Sequence, residues 1–355
     1  MTIGARVLKT GMAVALAIYL SGLIGFANPL LAAVSAIFTL QPSIFRSWQQ
    51  ISDQFQTNLL GAAIALGAVQ LIGNSPITVG IVCIAVILIS IRLKMESTVG
   101  LTLVTVVAVM EANSTGWMFA VERFLQVLTG MGAAFAVNVF IFPPSPRKQF
   151  HDLVQQSYAE LSLLLRTSIS DEMKEQVYNK EKEKLRGMIG RLEERFKVLE
   201  EERTFRSSRR VERARQLLLA KQLIRAVAKG SDLLEVVEEH YFSTPGAEEW
   251  AGRLDSQIEE LTKYHEFLLL KLDGKIKPGS QGHAEGITGS RLARQLTDYL
   301  RDNPDEHLRL VFVASALFEY GYHLSRLEKL IDQVQTRASE GDSGKWQLFP
   351  LKGRD

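Results

Sequence analysis

The sequence predicts an all-α protein in two parts, a six-span transmembrane helical domain followed by a soluble cytoplasmic helical bundle. Three observations carry this. Apolar runs fill the opening stretch at about 11–27, 29–41, 57–73, 77–91, 98–113 and 119–142. Charge is nearly absent there: up to residue 142 the chain holds Arg6, Lys9, Arg46, Arg92, Lys94 and Arg123 of its 41 Lys+Arg, and Asp53, Glu96, Glu111 and Glu122 of its 39 Asp+Glu. Beyond Pro143 charged residues crowd together, and apolar residues recur every three or four positions, the period of half-buried helices. The reading is a membrane domain over 1–142, a cytoplasmic bundle over 147–338 and a flexible tail over 339–355.

Most of the six runs are shorter than the roughly 20 residues that cross a ~30 Å hydrocarbon core. A single such run suits a buried helix of a soluble protein. Six in succession leave too little polar material to cover them in water, so the bilayer is the expected partner. Flanking residues or local thinning then complete the spans.

Connections alternate in kind. Gly25-Phe26-Ala27-Asn28-Pro29 and Gly73-Asn74-Ser75-Pro76 are tight breakers, each ending in a Pro suited to the first turn of the next helix. Asn113-Ser114-Thr115-Gly116 is a third polar turn. The runs therefore read as three helical hairpins. Arg6, Lys9, Arg46, Arg92, Lys94, Arg147 and Lys148 all fall in the other connections and the N-terminus, so the positive-inside rule places both termini in the cytoplasm of a multi-pass cell-membrane protein. Setting this topology is the preferred role of Arg6 and Lys9, with gating as the alternative. A cleavable signal peptide is not expected. The lone Cys83 sits in an apolar span and supports neither a disulfide nor a cysteine metal site.

Residues 43–56 have their own pattern. Ile44, Trp48, Ile51 and Phe55 share one helical face, and Arg46, Gln49, Gln50, Asp53 and Gln54 take the rest. This predicts a helix lying flat in the cytoplasmic headgroup region, anchored by Trp48, and preferred to a gating role for Arg46 and Trp48.

Two features exceed what spanning requires. Small residues recur four apart in Gly11 and Ala15, Gly61 and Ala65, Gly130 and Ala134, and Gly132 and Ala136, which reads first as close helix packing in lipid. Charge is the second. A turn near Gly116 brings Glu111 opposite Glu122 and Arg123. Either these groups snorkel at the interface, or they are buried, paired and functional. Arg123, Gly130 and Asn138 share one helical face, so Arg123 is a candidate to attract an anionic substrate, Asn138 to line its path, and Glu111 or Glu122 to exchange a proton.

Gly4-Ala5-Arg6 with Lys9-Thr10, then Leu40-Gln41-Pro42-Ser43 with Arg46-Ser47-Trp48, then Arg123-Phe124 with Gly130 and Val137-Asn138, resemble in order and spacing the bacterial aromatic acid exporter family. These are relatives of the fusaric acid resistance-type efflux permeases. The resemblance covers essentially the whole chain. It implies an inner-membrane permease exporting small organic acid anions, with Gln41 joining Arg123 and Asn138 as substrate-binding residues. Larger relatives carry a doubled set of spans, and the single set here implies a homodimer.

In the second part, Leu185, Ile189, Leu192, Phe196 and Leu199 form one apolar stripe. Trp250, Leu254, Ile258, Leu261, His265, Leu268 and Leu272 form another, and Leu310, Ala314, Leu317, Gly321, Leu324, Ile331 and Val334 a third. Thr244-Pro245 and Asn303-Pro304-Asp305-Glu306 mark helix starts, and 274–290 reads as a long loop. These features predict four or five long helices. The basic cluster Arg203, Arg206, Arg209, Arg210, Arg213 and Arg215 reads as a solvated face, with phosphate or anionic lipid as the alternative; the balanced charge of this part argues against nucleic acid.

The function classes narrow accordingly. Segment 279–289 lacks the Gly-Lys-Ser/Thr ending of a phosphate loop. The six His are scattered without metal-ligand spacing, and no catalytic constellation is visible, so an enzyme, a cofactor and a metal are not expected. A permease leads. A membrane-anchored scaffold whose helical tail binds a cytoplasmic partner, and a passive anion channel, are the alternatives.

Overall fold

The structure is a computed structural model that describes residues 5–26, 28–41, 43–111, 117–141, 145–169, 173–201, 210–277, 280, 290–302 and 308–340. Every regular element among them is helical. The chain divides into two compact units, Met1–Ser145 and Pro146–Asp355.

The first unit holds α1 (Ala5–Ile24), α2 (Leu30–Thr39), α3 (Ile44–Leu71), α4 (Pro76–Arg92), α5 (Val99–Glu111) and α6 (Trp117–Ala136), the last continuing as a π-helical turn over Val137–Ile141. The breakers act as their residues dictate. Gly25 and Gly73 take φ +88° and +93°, a conformation that side chains other than glycine rarely adopt. Ser75 caps α4 by accepting from the Thr78 N–H at 3.2 Å, with Pro76 as the first helical residue. The third turn, Asn113 to Gly116, lies outside the described residues.

Two of these helices, Val7–Ile24 and Trp117–Ile141, are both long and apolar enough to cross a membrane. The others depart from the six expected spans in instructive ways. α2 has 10 residues, about 15 Å of rise, half of a hydrocarbon core. α4 has 17 residues and α5 has 13. The expected surface helix over 43–56 does not exist as a separate element. It is the first half of α3, which runs unbroken for 28 residues, about 42 Å.

α3 is also turned inside out relative to a helix of a soluble protein. Trp48 is 60% exposed and Phe55 42%, whereas Gln54 is 0% exposed and Ser47, Gln50 and Asn58 are buried. The polar face points into the unit and the apolar face out. That sense suits a helix whose outer solvent is lipid, where water no longer draws polar groups outward.

Packing inside the unit is close where the small residues predict it. A Cβ on Gly130 would overlap the Ala32 carbonyl oxygen and lie 2.9 Å from Ser35 Cβ, so α6 and α2 meet backbone to backbone. One on Gly61 would sit 2.7 Å from Thr102 Cγ2 of α5. A Cβ on Gly11 or Gly132 would meet nothing within 4 Å among the described residues, so these two glycines are not points of close helix approach there.

The second unit contains α7 (Pro146–Thr167), α8 (Glu175–Glu201), α9 (Arg210–Val236, extended by a π-helical turn over Val237–Tyr241), α10 (Glu248–Leu272), α11 (Ser290–Asp302) and α12 (Leu310–Glu340). Leu185, Leu192 and Leu199 of α8, Trp250, Leu254, Ile258, Leu261 and Leu268 of α10, and Leu310, Leu317, Leu324 and Ile331 of α12 join one buried core. Thr244 and Pro245 lie in the turn before α10 rather than opening it. The Asn303 to Glu306 cap, the 281–289 part of the loop, Arg203, Arg206 and Arg209 of the basic cluster, and 341–355 of the tail lie outside the described residues.

Candidate functional site

α6 carries the site because its π-helical end re-aims one residue inward. Asn138 sits in that turn, fully buried, where the wider helical repeat departs from the regular spacing. Its Oδ1 accepts from Lys9 Nζ of α1 at 3.1 Å. Its Nδ2 donates to Ser47 Oγ of α3 at 2.9 Å and to the Gln41 carbonyl oxygen at 3.3 Å. Four chain segments thus converge on one amide. Lys9, expected to set topology or to gate, supplies a cation, and Gln41 contributes through its backbone. Arg6 lies in the first turn of α1, and its side chain is outside the described residues.

Toward the other end of α6, Arg123 Nη1 donates to Gln126 Oε1 at 3.0 Å, and Gln126 Nε2 donates to Glu122 Oε1 at 3.1 Å. Gln126 is fully buried, and the Arg123 guanidinium carbon lies 4.5 Å from the Phe119 ring centroid. Arg123 Nε is buried and makes no hydrogen bond among the described residues. Glu111 is exposed at the end of α5, and among the described residues no hydrogen bond or ion pair joins it to Glu122 or Arg123. The expected Glu111–Glu122–Arg123 cluster is therefore an Arg123–Gln126–Glu122 chain along one helix.

α3 runs antiparallel to α6 between these ends. Ser47 meets Asn138, Trp48 packs on Phe135 with ring centroids 6.1 Å apart, and Phe55 on Phe124 at 5.2 Å. The α3 side chains at intermediate levels are polar: Ser97 Oγ donates to Gln50 Oε1 at 3.4 Å, and Thr102 Oγ1 lies 3.0 Å from Thr57 Oγ1. Arg46 lies in the first turn of α3, where its N–H is capped by Ser43 Oγ at 3.1 Å, while Trp48 points outward.

Ser47, Gln50, Gln54, Asn58 and Gln126 are not among the candidate site residues expected from the sequence, although Ser47, Gln50 and Gln54 fall in stretches it singled out. A signal existed. Ser43, Ser47, Gln50, Gln54 and Asn58 follow one another at steps of three and four, the spacing of a buried face written in polar residues.

A helical unit with an apolar exterior, a buried polar face and cations near both ends of it is that of a membrane transport protein. Residues 1–141 match the family described as aromatic acid exporter family member 1. The UPF0421 protein YgaE of Bacillus subtilis (strain 168) is 33% identical over 344 residues, covering 95% of this chain and 97% of that protein. The UPF0421 protein OB2406 of Oceanobacillus iheyensis is 32% identical over 162 residues, 45% of this chain and 46% of that protein. The chain belongs to the aromatic acid exporter family and is a membrane protein.

Proposed function

We propose that the protein is a permease exporting aromatic or related organic acid anions through the interior of its first unit. The observation that carries this is the buried polar face of α3, tied to Asn138 of α6, with Lys9 near one end and Arg123 near the other. Burying so many amides and holding two half-buried cations among apolar helices is costly, and intramembrane charges mark solute or ion paths. In this reading Arg123, Asn138 and Gln41 contact the anion, Lys9 draws it in, and Glu111 and Glu122 exchange protons. Arg6, Arg46 and Trp48 set the topology.

All six helices lie in the cell membrane with both termini cytoplasmic, the 10-residue α2 and 13-residue α5 completed by flanking residues or local thinning. α3 qualifies by length, although its inward polar face lowers its hydropathy. Single copies of the six helices pair as a homodimer, and the second unit, over 147–338, regulates or dimerises in the cytoplasm. No cofactor and no nucleic acid enter the scheme.

Efflux of hydroxybenzoate-type acids from vesicles reconstituted with the wild type, Arg123→Gln and Glu111→Gln tests the reading. The wild type moves the acid, and both variants lose most of the flux. Flux that persists after the proton gradient is collapsed assigns a passive channel instead. Absence of flux for any organic acid favours the scaffold.

A further inference from the structure

The polar face of α3 holds a feature that the residues assigned above do not explain. Gln54 and Asn58 are fully buried. Gln54 Oε1 lies 3.5 Å from Gln50 Nε2, and Asn58 Nδ2 donates to the Gln54 carbonyl oxygen at 2.9 Å. The remaining half of each amide, Gln54 Nε2 and Asn58 Oδ1, has no hydrogen-bond partner among the described residues. One is a donor and the other an acceptor, on successive turns of one helix, about 6 Å apart along the axis. Nearly all buried polar groups are satisfied, so a matched unsatisfied pair asks for a complement.

Their position is as specific as their chemistry. Asn58 stands at the middle of the 28-residue α3. The antiparallel pairing of Ser47 with Asn138 and of Phe55 with Phe124 puts Gln54 between Asn138 and Phe124 of α6, and Asn58, nearly one turn beyond Phe55, just past the Arg123 level. A solute entering from the Lys9 end meets Gln54 first and reaches Asn58 at the Arg123 end.

Resting on the permease reading, we infer that Gln54 and Asn58 contact the solute in transit and select hydroxylated organic acids. Gln54 Nε2 donates to the carboxylate, and Asn58 Oδ1 accepts from a hydroxyl on the far side of the same molecule. An acid without the hydroxyl leaves Asn58 Oδ1 unpaired and crosses more slowly, because a site built to bond a hydroxyl penalises the analogue that lacks it.

The test compares efflux of 4-hydroxybenzoate and benzoate from vesicles holding the full-length protein. The wild type favours the hydroxy acid by about tenfold, the worth of one buried hydrogen bond. Asn58→Leu brings the ratio toward one by slowing the hydroxy acid, Asn58→Gln retains part of the preference, and Gln54→Leu slows both acids. Equal wild-type fluxes, or variant ratios matching the wild type while flux persists, overturn the assignment and leave the permease reading intact. No wild-type flux of either acid overturns the permease reading itself. Should a variant fail to purify as a folded protein, the wild-type ratio decides alone.

Discussion

Lys9 Nζ and Asn138 Oδ1 stand 3.1 Å apart, joining the first and last helices of the membrane unit across 129 positions of sequence. Asn138 is thereby tied on one side to a cation and on the other to Ser47 and the Gln41 carbonyl. A hydrogen bond to a charged group contributes about 1.5–3 kcal/mol. Lys9→Met, which keeps the aliphatic stem and deletes the cation, is expected to lower organic acid flux by roughly tenfold or more. Initial efflux rates at matched protein density check this.

The Gly130 contact with Ala32 gives a sharper structural test. Gly130→Ala forces α6 away from α2 and is expected to destabilise the protein by about 1–3 kcal/mol, the usual cost of overpacking. Gly132→Ala, where nothing lies within 4 Å, is the matched control and is expected to be neutral or slightly stabilising. Thermal unfolding of the two variants in one detergent measures the difference.

In the second unit, Lys271 is buried between two acidic groups of α12, with Nζ 3.2 Å from Glu328 Oε1 and 2.7 Å from Asp332 Oδ1. Tyr264 Oη donates to Glu328 Oε2 at 2.6 Å. Lys271→Met removes the cation and leaves acidic groups that it had compensated. Breaking a buried pair from one side costs about 3–5 kcal/mol. The variant is expected to show a clear fall in denaturant midpoint, partly recovered in Lys271→Met with Glu328→Gln.

His265 makes the bundle acid-sensitive. It is fully buried, with Nδ1 2.7 Å from Tyr320 Oη, and burial pushes its pKa from 6.5 to about 3. The unfolded chain therefore takes up a proton near pH 6.5 while the folded one does not. Stability rises with pH between about 3 and 6.5 and is lost as pH falls through that window, by up to ~1.4 kcal/mol per unit. His265→Leu is expected to flatten the dependence between pH 6.5 and 4 relative to the wild type, measured by denaturant midpoints. An equal slope in the variant would show that His265 carries none of it.

Legibility in the sequence follows the solvent. Helices of the second unit have water on one side and core on the other, so the stripes in α8, α10 and α12 read directly. The breakers at Gly25 and Gly73 read equally well because their chemistry is local. α3 reads wrongly because the same amphipathic pattern fits a helix lying on a membrane surface and one lining a polar interior, and only packing separates them. Arg123 and Asn138 stand out as rare polar groups in an apolar run. That Lys9 reaches Asn138 is a tertiary fact with no local trace. The pairing of Arg123 with Gln126 is by contrast local, three residues on along the same helix, and the expected hairpin contact with Glu111 obscured it.

The inverted face of α3 has a consequence for biosynthesis. Its partners are made later: Thr57 waits 45 residues for Thr102, and Ser47 waits 91 for Asn138. When α3 leaves the ribosome only its own turns satisfy its amides, and its Ser47 and Thr57 hydroxyls lack their later partners. On the proposed membrane reading its settling in the bilayer therefore awaits α5 and α6. On that reading this unit assembles in concert rather than helix by helix, and a chain truncated before Asn138 is expected to leave α3 stranded at the insertion machinery.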